Sequence, residues 1–145
     1  MDFLRENSLN NIVPHTNVRA SLRIMGEHFD IHKVTEVLEM HPGEAWNKGE
    51  LIRNTKKKRT YTAWIYNTEL SESFNIDSSA RKIMEIFSKK TDKINLLKSL
   101  YDLDISIDFV IVIENKEPPA MYFDSDFIHF ASEIDARVDI DTYVN

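Results

Sequence analysis

The sequence predicts an α+β fold, a two-layer sandwich in which a mixed, mostly antiparallel sheet carries helices mainly on one face. Segments with apolar residues at every second position, typical of strands, lie between segments with apolar residues at helical spacing. They follow the order β-α-β-α-α-β-β-α-β, which is typical of a sheet packed against a helical layer. The length of 145 residues fits one domain. We therefore expect a relative of the ferredoxin-like fold with an extra helix in its middle crossover.

The domain is predicted to occupy residues 17–145. Residues 1–16 have no clean hydrophobic period, so we expect a loosely ordered N-terminal arm there. The first strand begins at Asn17, where apolar residues alternate with polar ones and indicate one buried face. These apolar residues are Val18, Ala20, Leu22 and Ile24. Gly26 lies where such a strand bends.

The first predicted helix follows Asp30, which we expect to be its N-cap. Its apolar residues recur at helical spacing, at Ile31, Val34, Val37 and Leu38. The helix is expected to stop before His41. Pro42 disfavours helical geometry in the residue that precedes it, and Gly43 is able to take a positive φ.

Residues 61–66 predict a second strand with apolar or aromatic side chains on both faces, which indicates a central strand. Two helices follow. The first begins near Asp77 or Ser78, and the second is capped by Thr91 or Asp92.

The apolar run at residues 109–113 predicts a strand buried on both faces. After a turn, the segment AMYF predicts a short strand. A helix capped by Asp124 or Ser125 comes next. Its inward residues are expected to be Phe127, Ile128, Ala131 and Ile134. Residues 136–145 alternate in polarity and close the chain as a strand.

Composition excludes several classes of function. The chain has no cysteine, so it forms no disulfide and has neither a thiolate metal site nor a cysteine nucleophile. It shows no signal peptide and no apolar window of about 20 residues. We therefore expect a cytoplasmic protein with no membrane partner. The net charge of -6 argues against broad affinity for nucleic-acid backbones.

Catalytic motifs are absent from the sequence, including GxSxG and glycine-rich phosphate loops. His28, His32 and Glu36 have helical spacing that is able to align zinc ligands. However, His28 precedes the predicted cap, so we interpret these side chains as solvent-facing. We assign no catalytic residue, no metal site and no cofactor. A small-molecule or metal-dependent enzyme stays an alternative.

The segment EMHPGEAWNKGE contains the first candidate site. Its simplest role is to end a helix, with Trp46 folded back on the core. It also has the residue types of a recognition loop, in which an aromatic anchor and a charge contact a partner. The partner-binding residues would be Pro42, Trp46, Lys48 and Gly49.

The C-terminal region contains an acidic candidate site, formed by Asp135, Asp139 and Asp141. Arg137 lies on the same predicted strand face, so a solvated, salt-bridged sheet face is one interpretation. The other is an acidic surface that docks on a basic protein.

Residues 53–66 combine basic and aromatic side chains, as a single-stranded nucleic-acid site requires. The residues of this alternative are Lys56, Lys57, Lys58, Arg59, Trp64 and Tyr66. Against it, a charged run before a strand often guards a sheet edge, and the core needs the aromatic rings. On these grounds we do not expect nucleic acid to be the partner.

The succession of segments over residues 18–144 resembles the bacterial domain-of-unknown-function family 4279. The similar features are a Trp-x-Lys-Gly segment at residues 46–49, Trp64, and a closing strand of alternating aspartates that ends in Tyr143. The resemblance implies a small cytoplasmic α+β domain and provides no catalytic residue, substrate or cofactor. By analogy, such domains are similar to the immunity proteins that accompany secreted toxins.

The main hypothesis is a non-enzymatic protein-binding module of immunity or antitoxin type, whose partner is a basic protein such as a toxin. The alternatives are the nucleic-acid-binding module and the enzyme described above. An open sheet edge would also permit a homodimer by strand pairing.

Overall fold

A mixed, six-stranded sheet forms the centre of the computed structural model, which describes residues 15–145. The predicted N-terminal arm, residues 1–16, lies almost entirely outside the described residues. The strands are β1 (Asn17–Gly26), β2 (Glu44–Trp46), β3 (Thr62–Asn67), β4 (Ser71–Glu72), β5 (Asp104–Ile113) and β6 (Arg137–Val144). They lie in the order β2-β3-β1-β5-β6, with β4 paired to β1. β5 and β6 are parallel and the other pairs antiparallel.

The helices are α1 (Ile31–Leu38), α2 (Asp77–Phe87), α3 (Thr91–Leu100) and α4 (Ser125–Glu133), with a 3-10 turn at Ser88–Lys90 between α2 and α3. Asp30 caps α1 by accepting hydrogen bonds from the backbone N–H of His32 at 2.9 Å and of Lys33 at 3.3 Å. Asp124 caps α4 through the N–H of Phe127 at 2.9 Å. Both N-caps were predicted, and the α+β class with a mixed, mostly antiparallel sheet is confirmed.

The core lies between the helices and one face of the sheet. The predicted inward residues of β1 are completely buried. They share one hydrophobic cluster with Ile83 and Phe87 of α2, Ile94 and Leu97 of α3, and Phe127 of α4. The opposite face of the sheet, which no described helix covers, is called the open face below.

Several local predictions are wrong. β2 and β4 are additional strands, because two- and three-residue strands carry too little pattern to be recognised. The segment AMYF forms only an isolated bridge between Asn75 and Ala120. Helix α1 ends at Leu38 because Glu39 takes a left-handed φ of 56°, so neither Pro42 nor Gly43 ends it. In α4, Ile128 is exposed and Phe130 takes the inward position.

The predicted strand order needs correction in one further respect. β5 and β6 are hydrogen-bonded neighbours joined through α4, so this βαβ unit is not split by an intervening strand. The ferredoxin-like fold is a split βαβ arrangement. β5 is also covered by helices on one face only, with Phe109 and Ile111 buried and Val110 half-buried on the open face.

Candidate functional site: the open face of the sheet

The open face is made of the side chains that alternate with the core residues. On β1 these are Arg19, Ser21 and Arg23, which point away from the helices because successive strand residues project to opposite faces. The strand register brings side chains from β2, β3, β5 and β6 onto the same surface. Strands far apart in the chain therefore contribute to one continuous site.

The register defines rows that cross the sheet. Arg23 lies opposite Ile65 on one side and Ser106 on the other, and Ser106 lies opposite Arg137. The next row contains Asn67, Ser21, Asp108 and Asp139. The row after it contains Arg19, Val110 and Asp141. The register thus places Arg23 diagonally next to Asp108, and Asp108 directly opposite Asp139.

Half-buried ion pairs connect the middle of the open face. The Arg23 guanidinium contacts the Asp108 carboxylate at 3.3 Å, with side chains 27% and 17% exposed, and donates to the Tyr61 hydroxyl at 3.1 Å. The Ser106 hydroxyl donates to Asp108 and, at 3.4 Å, to Asp139. Such partly desolvated, charge-assisted contacts hold side chains more firmly than exposed pairs do.

Trp46 lies at the β2 end of the open face, opposite Ala63 of β3. The Arg59 guanidinium lies 3.8 Å from the centroid of its ring, which is a cation–π contact. Tyr61 meets the same ring edge-on, with centroids 5.8 Å apart. These contacts leave Trp46 half-buried on the open face instead of folded back on the core.

Polar atoms without a hydrogen-bond partner mark this surface. Within the described part of the chain, these buried atoms are Arg19 Nε, Arg23 Nε and Trp46 Nε1. Buried polar groups in folded proteins almost always have a partner. All three residues line a concavity of about 310 Å³ together with Glu44 and Asp141. Three unpartnered donors thus lie just beneath the surface of the open face, around this concavity.

The other residues of the predicted recognition loop have structural roles. Lys48 Nζ contacts the Glu27 carboxylate at 2.5 Å, and its backbone N–H donates to Thr62 Oγ1 at 3.0 Å. The hydrogen bond and charge of Lys48 lower the pKa of Glu27, with a smaller contribution from His28. Gly49 has a φ of 93°, a left-handed geometry that favours glycine. Pro42 is half-buried beside the turn.

Two of the three predicted acidic residues reach the open face. Asp139 and Asp141 project from β6, and Arg137 Nε contacts Asp139 at 3.0 Å. Asp135 lies in the exposed turn before β6, with a φ of 50°. Its carboxylate is 3.8 Å from Lys98 of α3, so it belongs to the helical side.

The basic-aromatic segment does not form one surface. Trp64 is completely buried under α1, where its Nε1 donates to Thr35 Oγ1 at 3.1 Å. Tyr66 packs edge-on against Phe87, with centroids 5.6 Å apart. The Trp64 ring is therefore not available to stack on a base, which corrects its predicted role, and Tyr66 is half-buried against the core. The exposed lysines lie in the hairpin closed by the bridge between Leu51 and Lys58. They are Lys56, Lys57 and Lys58.

The histidine candidates remain on the surface. His28 is exposed before α1, and His32 and Glu36 are exposed on it. Among residues 15–145, no group of three or more metal-ligating side chains is close enough to hold an ion.

Arg19 and Arg23 are site residues that the sequence interpretation missed. The signal was present, because they occupy the polar half of the β1 alternation. Their partners on β3, β5 and β6 depend on pairing between distant segments, which the pattern of one strand does not specify.

These features define a class of protein: a small α+β domain with helices on one side of its sheet and a charged, aromatic-containing surface on the other. The chain belongs to the family described as Domain of unknown function (DUF4279), whose model matches residues 16–145. The resemblance carried by the Trp46 segment, Trp64 and the closing strand is thereby confirmed. No curated protein and no solved structure shows significant similarity to the chain. Within the described residues, every helix is too short or too polar to cross a bilayer.

Proposed function

We propose that this chain is a protein-binding module of immunity or antitoxin type that docks a basic partner protein on its open face. One observation carries the proposal. The helices of residues 15–145 cover one side of the sheet. The other side brings Trp46 with Arg59 and Tyr61, the arginines of β1 and the aspartates of β6 onto a single surface.

The residue types of the open face support binding to a protein. Tryptophan, tyrosine and arginine dominate the energetics of protein interfaces. Arg19, Arg23 and Trp46 line a concavity that a side chain of a partner would enter. Asp139 and Asp141, together with the net charge of -6, favour a partner of positive charge because complementary potentials speed association.

The dimensions of the open face also fit this role. Five strands about 4.8 Å apart and up to ten residues long give an area on the order of 500 Å². A stable interface covers about 800 Å² on each partner. The edge of β6 adjoins the open face and would supply part of the remainder.

The test is an affinity capture with the tagged full chain from its host, with nuclease treatment and quantification by mass spectrometry. The test variant combines Trp46→Ala with Arg19→Ala. A matched control combines Leu96→Ala with Lys82→Ala, which makes the same charge change and removes an exposed apolar residue on the helical side. We expect a basic protein to be retained by the native chain and the control and reduced at least tenfold by the test variant.

If the test variant retains as much of the basic protein as the native chain, binding at the open face is contradicted. If nuclease treatment removes the captured protein, a nucleic acid connects it to the chain. The immunity-type function has its own readout. Expression of the captured protein alone is expected to slow cell growth, and co-expression of the native chain is expected to restore it. If neither expression of the captured protein nor its co-expression with the native chain changes growth, the chain is a protein-binding module without an immunity-type function.

A further inference from the structure

We infer that the outer edge of β6 is a strand-addition site for an extended segment of a partner protein, with basic residues at alternate positions and an apolar residue between them. The inference rests on the proposed function, because it identifies the chemistry of the segment that the partner would supply. It concerns the edge of the sheet, whereas the proposal above concerns its open face.

β6 is the long edge strand of the sheet. It is the last strand in the order and pairs only with β5 among the described residues, over eight residues. Several of its apolar side chains are exposed, namely Ile140 at 42%, Tyr143 at 57% and Val144 at 74%. The opposite edge is formed by β2, which is only three residues long. β6 therefore has the length and exposure that an added strand requires.

The backbone direction identifies the unused groups. Asn145 N–H donates to the Ile113 carbonyl of β5 at 3.0 Å, so odd-numbered residues of this strand direct their polar groups to β5. Because these groups alternate along a strand, Val138, Ile140 and Thr142 direct their N–H and C=O outward. An extended peptide placed antiparallel to β6 would form hydrogen bonds with these residues.

The charges specify the added segment. In such a pairing, the residues opposite Asp139 and Asp141 occupy non-hydrogen-bonded positions, where Cα atoms are about 4.5 Å apart and side chains approach most closely. Asp141 has no ion-pair partner within residues 15–145. Lysine or arginine opposite these aspartates forms cross-strand ion pairs. Ile140 lies between them on the other side of the strand and favours an apolar residue.

The same aspartates disfavour pairing with a second copy. A two-fold pairing centred on Ile140 places Asp139 opposite Asp141 twice. Centres at Asp139 or Asp141 place that aspartate opposite itself. Like charges directly opposite one another destabilise a strand pair. In these three registers, the residues that attract a basic segment therefore oppose a homodimer by edge pairing.

The test uses the peptide acetyl-TVKVKVT-amide with the ¹⁵N-labelled full chain. Controls are acetyl-TVEVEVT-amide, which reverses the charge, and acetyl-TKKVVVT-amide, which keeps the composition and breaks the alternation. We expect the first peptide alone to shift the amide resonances of Ile140 and Thr142 and to slow their hydrogen exchange at least tenfold. The substitution Thr142→Pro removes one outward donor without touching the β5 ladder and is expected to weaken binding at least fivefold.

Absence of shifts at saturating peptide, or equal shifts with all three peptides, would overturn the inference. Slow exchange of the Ile140 and Thr142 amides in the free chain would also overturn it, because the edge of β6 would then already be paired. Sedimentation equilibrium would show whether a second copy of the chain or a segment of the same chain forms that pairing. Partner capture that depends on Trp46 and Arg19 would still support the proposed function in each of these cases.

Discussion

The two tryptophans occupy opposite faces of the sheet, and their environments predict different consequences of substitution. Trp64 is completely buried and hydrogen-bonded to Thr35. Trp46 contacts Arg59 and Tyr61 on the open face. The first is a core residue, and the second is a candidate anchor for a partner.

We expect Trp64→Ala to lower the free energy of unfolding by about 3–5 kcal/mol, because it leaves a cavity under α1. Trp46→Ala is expected to lower it by about 1 kcal/mol, since the half-buried ring contacts Arg59 and Tyr61 at the surface and leaves no cavity in the core. Urea unfolding followed by circular dichroism measures both. Similar losses for the two variants would contradict the assignment of separate roles.

The contact between Lys48 and Glu27 predicts a pH effect. Lys48 lowers the pKa of Glu27 in the folded protein, so the pair stabilises the fold above the ordinary pKa of glutamate and loses this effect as pH falls through the lowered value. NMR titration of Lys48→Met is expected to return the Glu27 pKa toward its ordinary value. The stability difference between the native chain and the variant should vanish in acid. An unchanged Glu27 pKa would show that the contact is absent in solution.

At the scale of elements, the hairpin that contains the lysines bears on the hypothesis that the chain binds single-stranded nucleic acid. Lys56, Lys57 and Lys58 are exposed, but Trp64 and Tyr66 are occupied by the core. Basic side chains without stacking rings bind single strands weakly. We expect no gel retardation of single-stranded RNA or DNA at micromolar protein and low salt. Retardation that disappears when the three lysines are replaced by alanine would instead establish a nucleic-acid site.

Strand β1 shows how one element serves both core and surface. Its apolar half was predicted from alternation and is fully buried. Its polar half provides Arg19, Ser21 and Arg23 to the open face. The same alternation predicted that β6 directs Asp139 and Asp141 to one side. No single-strand pattern indicated that these residues and Trp46 share a surface, because their meeting depends on the pairing of distant strands.

At the scale of the whole molecule, the net charge of -6 predicts salt-dependent association with a basic partner. We expect the association rate with the captured partner to fall steeply as salt is raised from low concentration. Asp139→Lys combined with Asp141→Lys should slow association at low salt and flatten this dependence. Stopped-flow or biolayer measurements over a range of salt provide the test. If the two substitutions together leave the association rate unchanged, the aspartates of β6 do not contribute to association with the partner.

The sequence by itself determined the α+β class, the main helices and strands, the caps at Asp30 and Asp124, the buried half of β1 and the family. These depend on local periodicity and on hydrogen bonds between neighbouring residues, which a sequence displays directly. Only the tertiary structure decided that Trp64 is core and Trp46 surface, that β2 pairs with β3, and that β6 is an edge strand parallel to β5 among the described residues. These features depend on which strands are adjacent and which side the helices cover, and that choice is made by contacts between residues distant in the chain.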